Sequence, residues 1–172
     1  MGLRLTGRVL SLGIALSCHP GSQPVGLAAP AGGSVVAVPL NPAATVPPPC
    51  RQPYVDGAPC TGVGPALPLT AAQASTLAVI LADPTTWGGD EAKCTLPFHG
   101  FAWLDSEGRP TQQVAVSFLC QKVEAEPSLS GQPGSPSDRG LSASGEAALR
   151  ALCVDVGLPD CGIRDPDDVF GR

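Results

Sequence analysis

CTLPFHGFAWLDSEGRPTQQVAVSFLC, residues 94–120, decides the fold: two β-prone runs flank a polar turn, and a cysteine closes each end. The turn is Asp105-Ser106-Glu107-Gly108-Arg109. A three-residue loop of Ser106, Glu107 and Gly108 suits a type I turn followed by a left-handed residue, which glycine adopts without a Cβ clash. Asp105, at the first turn position, accepts backbone hydrogen bonds through its carboxylate. This register sets Leu96 opposite Phe118, Phe98 opposite Val116, Gly100 opposite Val114 and Cys94 opposite Cys120. Residues directly opposed on antiparallel strands lie roughly 4.5–5.5 Å apart at Cα, within disulfide reach.

Side chains alternate along a strand. Leu96, Phe98, Gly100, Ala102 and Leu104 therefore share a face with Phe118, Val116 and Val114, and this nearly all-apolar face is the expected core. The opposite face carries His99, Phe101, Trp103 and Ser117 and is mixed, which predicts partial exposure. Pro97 cannot donate to a ladder, so the hairpin's base is expected at an edge or a bulge.

Upstream, Arg4 and Arg8 precede the apolar run Val9 to Leu16, the layout of an export signal over 1–17. Ala15-Leu16-Ser17-Cys18 resembles the bacterial lipobox, which implies lipidation of Cys18 and anchoring to a membrane of the cell envelope. Ordinary secretion is the other option. Residues 18–68 return to proline repeatedly, including Pro47-Pro48-Pro49. They read as a lipid-anchored tether carrying a small Cys50–Cys60 loop, with Ser34 to Val38 a weak strand candidate.

Two helices are marked by their ends. Thr70-Ala71-Ala72-Gln73 fits a capping box, Leu77, Ile80 and Leu81 form a stripe, and Asp83 precedes Pro84, which predicts a helix over 71–82. Ser142 caps a second helix with the stripe Leu149, Leu152, Cys153 and Val156. Gly157, Leu158 and Pro159 end it. Residues 126–140 read as a flexible loop, and Asp165, Asp167 and Asp168 as a solvated acidic tail over 164–172.

The chain has seven cysteines. Setting Cys18 aside leaves an even set, the mark of a disulfide framework in an exported chain. The hairpin argues for Cys94–Cys120, and proximity for Cys50–Cys60 and Cys153–Cys161. With Arg4 and Arg8 removed, eight basic residues stand against fifteen acidic ones, a net charge of −7. No basic stripe exists to neutralise phosphates, so nucleic acid is not an expected partner.

Cys94, Cys120 and His99 invite a zinc site. In the register above, however, the imidazole and the cysteines lie on opposite faces, so disulfide bonding is preferred and neither metal nor cofactor is expected. A Ser117–His99 pair would need an acid and an oxyanion hole, and no Gly-x-Ser-x-Gly elbow is present. A histidine bonded to a backbone carbonyl is the simpler reading. His99, Phe101, Trp103 and Ser117 either form an exposed patch for a peptide, glycan or envelope protein, or pack beneath a helix or loop.

Trp87-Gly88-Gly89, Cys94-x-x-Pro97-x-His99-Gly100, Trp103-Leu104-Asp105-x-x-Gly108 and a strand ending at Cys120 together resemble an uncharacterised family of small bacterial exported proteins and lipoproteins. The resemblance spans Leu69 to Pro159. In that family the second strand often ends Cys-x-x-Cys, whereas Ser117 stands at the first of those positions here. The expectation is an α+β domain over 69–163: a disulfide-braced antiparallel hairpin with two packing helices. Its expected role is non-catalytic, as a binding or structural module. The alternative is a cysteine-dependent redox or metal-handling envelope protein.

Overall fold

Runs of β-branched and aromatic residues supply the long central strands. The computed structural model describes residues 27–41, 50–90, 96–127, 129, 140–165 and 167–168. In chain order the elements are β1 (Ser34–Pro39), β2 (Tyr54–Val55), β3 (Ala58–Pro59), β4 (Leu67–Pro68), α1 (Ala71–Ala82), β5 (Trp87–Gly89), β6 (His99–Leu104), β7 (Pro110–Ser117), β8 (Lys122–Glu126), β9 (Gly140–Leu141) and α2 (Ala143–Val156). A five-stranded antiparallel sheet runs in the order β4-β1-β6-β7-β8. The small pairs β2–β3 and β5–β9 stand outside it.

The architecture is the α+β one expected, but its sheet is wider than one hairpin. Residues 27–41 and 50–68 are not tether. β1 pairs with β6 along its whole length, from Ser34 opposite Leu104 to Pro39 opposite His99. Val35, Val36, Ala37, Val38 and Leu40 are all buried. The strand candidate at Ser34 to Val38 is thus β1; the alanine and proline around it conceal only that it is interior, although its Val-Val-Ala-Val centre is what an interior strand needs. After β7 the chain turns at Gln121 (φ 49) and returns as β8. Residues 1–26, with the export signal and Cys18, lie outside the described residues, as do Cys94 and most of the loop expected over 126–140.

The hairpin turn forms as its residues predict. Asp105 Oδ1 accepts from the Glu107 and Arg109 amides, each at 2.9 Å, and Gly108 takes φ 78. Beyond the turn the register departs from expectation. Leu104 opposes Pro110, yet Trp103 opposes Gln112, so Thr111 is an extra residue and the ladder is bulged. Its hydroxyl donates to Trp103 O at 3.1 Å. From there on His99 faces Val116 and Phe101 faces Val114. A shift of one residue turns every β6 side chain to the other face relative to β7. Phe101, Trp103 and His99 therefore join Val114 and Val116 on the principal core face, which corrects the expected alternation.

Two layers cover the sheet. On one face Leu77 and Leu81 of α1 and Leu149 and Leu152 of α2 pack with Val35, Ala37, Phe101 and Trp103. Burying a side chain such as Phe101 contributes about 1.5–3 kcal/mol. The opposite face packs Val36, Val38, Ala102 and Ala115 against Tyr54 and Leu40. Both helices are capped as expected. Thr70 and Gln73 complete the capping box (Gln73 N to Thr70 Oγ1 3.2 Å, Thr70 N to Gln73 Oε1 2.9 Å), and Gly157 ends α2 at φ 82. Gly145 lets α2 press onto the turn before β5, since a Cβ there would stand 2.3 Å from Thr86 O. Among the described residues no helix is long and apolar enough to cross a membrane.

Candidate functional site

A lobe of residues 50–64 builds the open side of the molecule. The Cys50–Cys60 disulfide closes it, and within it Asp56 (φ 52) and Gly57 (φ 79) join β2 to β3. Positive φ at both central residues is the primed turn that matches strand twist, and Asp-Gly is its usual sequence. That dipeptide between Val55 and Ala58 is the signal by which the lobe can be found in the sequence.

Side-chain amides fasten the lobe to the sheet. Gln113 on β7 accepts from Tyr54 N at 3.0 Å and donates to Tyr54 O at 3.2 Å, standing in for a neighbouring strand. Pro53 seats on Gly100, where a Cβ would meet its ring at 2.4 Å.

Between the lobe and the turn end of the sheet lies an open groove of about 900 Å³. Gln112 and Gln113 form part of its lining, with Arg51, Tyr54 and Val55 from the lobe, Arg109 from the hairpin turn and Glu126 from β8. Arg109 is held by Asp105 at 3.0 Å and Glu107 at 2.9 Å. The Arg109 amide, with its guanidinium and the Glu107 amide, keeps the Asp105 carboxyl below its ordinary value. Burial raises the Tyr54 phenol, which stays protonated at neutral pH and able to donate. Amides, carboxylates, guanidinium and phenol are groups that read the polar atoms of a chain-like partner.

Of the two placements open to His99, Phe101, Trp103 and Ser117, the buried one is found, away from this groove. His99, Phe101, Trp103 and Ser117 are 1%, 1%, 0% and 3% exposed. Phe101 and Trp103 are core, and Trp103 Nε1 donates to Leu27 O at 2.9 Å. Ser117 and His99 do not meet: Val116 is the residue opposite His99, so the hydroxyl leaves the other side of the sheet. Ser117 Oγ donates to Leu96 O at 2.7 Å and accepts from Cys120 N at 3.1 Å.

His99 Nε2 donates to Pro159 O at 2.7 Å, since a carbonyl can only accept. Burial holds the ring below its ordinary value and Arg150 adds to this, while the Pro159 bond and Asp160 act the other way. The ring lies 5.1 Å from that of Phe118, over which the Arg150 guanidinium sits at 4.3 Å. Its sulfur neighbours come from the C-terminal end of the domain. Cys153 and Cys161 are joined as a disulfide, and both sulfurs and a ring nitrogen of His99 lie within 4.8 Å of one another. Sequence spacing hides this meeting, because the bulge alone puts His99 on the face that α2 covers. Cys120 is buried and disulfide-bonded, and Cys94, the partner expected for it, lies outside the described residues.

Comparison of the chain with protein-family models, with curated proteins and with solved structures finds no match.

Proposed function

We propose that the chain is an exported module of the bacterial envelope, lipid-anchored through Cys18, that binds a polar partner such as a peptide or glycan in the groove beside the 50–64 lobe. It works by recognition, without a reaction of its own. One observation carries this reading: among the described residues the imidazole, the Ser117 hydroxyl and the cysteine sulfurs stand apart from the groove. The His99 imidazole and the Ser117 hydroxyl are bonded internally, and Cys50, Cys60, Cys153 and Cys161 are paired. The open concavity instead presents hydrogen-bonding groups. Disulfides in so small a body are in keeping with an oxidising compartment.

Two measurements test it. Intact mass of the exported protein, with and without alkylation, is expected to show acyl groups and no alkylated thiol; accessible thiols would favour the redox or metal-handling alternative. Arrays of envelope glycans and extended peptides, probed with the wild type and with an Arg51→Glu/Val55→Asp variant, are expected to show a ligand that the variant has lost. Indistinguishable binding by the two proteins, or no ligand at all, would remove the groove from consideration.

A further inference from the structure

We propose that Cys153, Cys161 and His99 form a redox-gated site for Cu⁺, filled once a dithiol has reduced the Cys153–Cys161 bond. The ligand set is already assembled. A ring nitrogen and the two sulfurs lie within 4.8 Å of one another, on residues 1%, 0% and 7% exposed. Little movement is needed to close three such atoms on one ion.

The imidazole is prepared for this role. Its Nε2 proton is fixed by the Pro159 carbonyl, so Nδ1 is a bare lone pair, buried and without a hydrogen-bond partner among the described residues. A backbone carbonyl that fixes the tautomer of a histidine is the usual outer support of a metal ligand. An orphaned buried acceptor has a cost that filling the site would offset.

Three features select the ion. Two thiolates and one imidazole are a soft set, favouring Cu⁺ over hard cations. The described cluster has three ligands and no fourth, whereas structural zinc takes four. Two thiolates with Cu⁺ leave a single negative charge, and the Arg150 guanidinium lies over the same loop, donating to Cys161 O and, at 2.7 Å, to Ile163 O.

The gating step balances. A dithiol's thiolate attacks the Cys161 sulfur, and Cys153 departs as thiolate. The dithiol's second sulfur then displaces Cys161 and closes the reductant's own disulfide. Both cysteines become thiols, and Cu⁺ binding releases their two protons. The loop survives the cut because Leu158 N to Cys153 O, His99 to Pro159 O and the two Arg150 bonds still hold it.

The test uses the full chain, reduced anaerobically with a dithiol, freed of it, and titrated with Cu⁺ against a chromogenic chelator. The Cys50→Ser/Cys60→Ser variant is expected to hold one ion with two sulfur and one nitrogen scatterers in its X-ray absorption. The Cys153→Ser/Cys161→Ser variant, which keeps every other cysteine, is expected to lose that ion, and the unreduced protein to bind none. His99→Gln should lose the nitrogen scatterer and weaken binding by at least about 10-fold. Should that variant not fold, the scatterers of the Cys50→Ser/Cys60→Ser protein decide. Equal copper uptake by the two double variants would overturn the proposal. So would a site without nitrogen, or a Cys153–Cys161 bond that opens only as the circular dichroism of the fold is lost.

Discussion

Gly100 has a wall where a side chain would go. Pro53 and Leu40 approach its missing Cβ at 2.4 and 3.1 Å, and both are parts of the layer that closes the lobe side of the sheet. Gly100→Ala is therefore expected to lower unfolding free energy by about 1–3 kcal/mol in urea titrations. Gly162→Ala, with open space around it, should stay within about 0.5 kcal/mol of wild type. His99 makes a second expectation at this scale. Burial holds its folded pKa below 6.5, so under that pH the unfolded chain takes up a proton that the folded chain refuses. Its contribution to stability is whole above about pH 6.5 and is lost as pH falls towards the folded value, by at most about 1.4 kcal/mol per pH unit. Urea midpoints at pH 7.5 and 5.5 should differ accordingly, and less so in His99→Gln. A His99 imidazole resonance, identified by its loss in His99→Gln, that titrates near 6.5 in the native protein would sink this assignment.

At the level of elements, local chemistry and long-range pairing part company. α1, α2 and the Asp105–Arg109 turn can be read from Thr70, Gln73, Ser142, Gly157 and Gly108 because each boundary is set by atoms a few residues away. The bulge cannot be read this way. Nothing near Thr111 announces it, and it exists because Phe101 and Trp103 gain burial beneath the helices while the turn keeps its own hydrogen bonds. The apolar-face assignment fails on that one inserted residue, which also decides that Phe101 and Trp103 pack beneath the helices and form no patch. Deleting Thr111 is accordingly expected to abolish cooperative unfolding, while Thr111→Ala, which removes only the bond to Trp103 O, should cost on the order of 1 kcal/mol. Similar unfolding curves for the two would show that the bulge is incidental.

For the molecule as a whole, β1 is the strand whose position matters most. It lies inside the sheet between β4 and β6, so a chain truncated to begin at Leu69 would leave β6 unpaired along its β1 side and strip Val35 and Ala37 from beside Trp103 and Phe101. That truncation is expected to be unfolded by amide exchange and limited proteolysis, whereas one beginning at Leu27 should fold. The Ser34–Val38 run marks the strand in the sequence, but proline and alanine around it hide its interior place, which its partner strands reveal. The same strand sets the geometry that the proposed anchoring through Cys18 would have. Leu27, already buried, follows Cys18 by nine positions, a reach of about 30 Å at full stretch. With an acyl chain on Cys18, the body would ride low over the headgroups like a moored hull, and whatever it grips would have to come down to the bilayer to be caught.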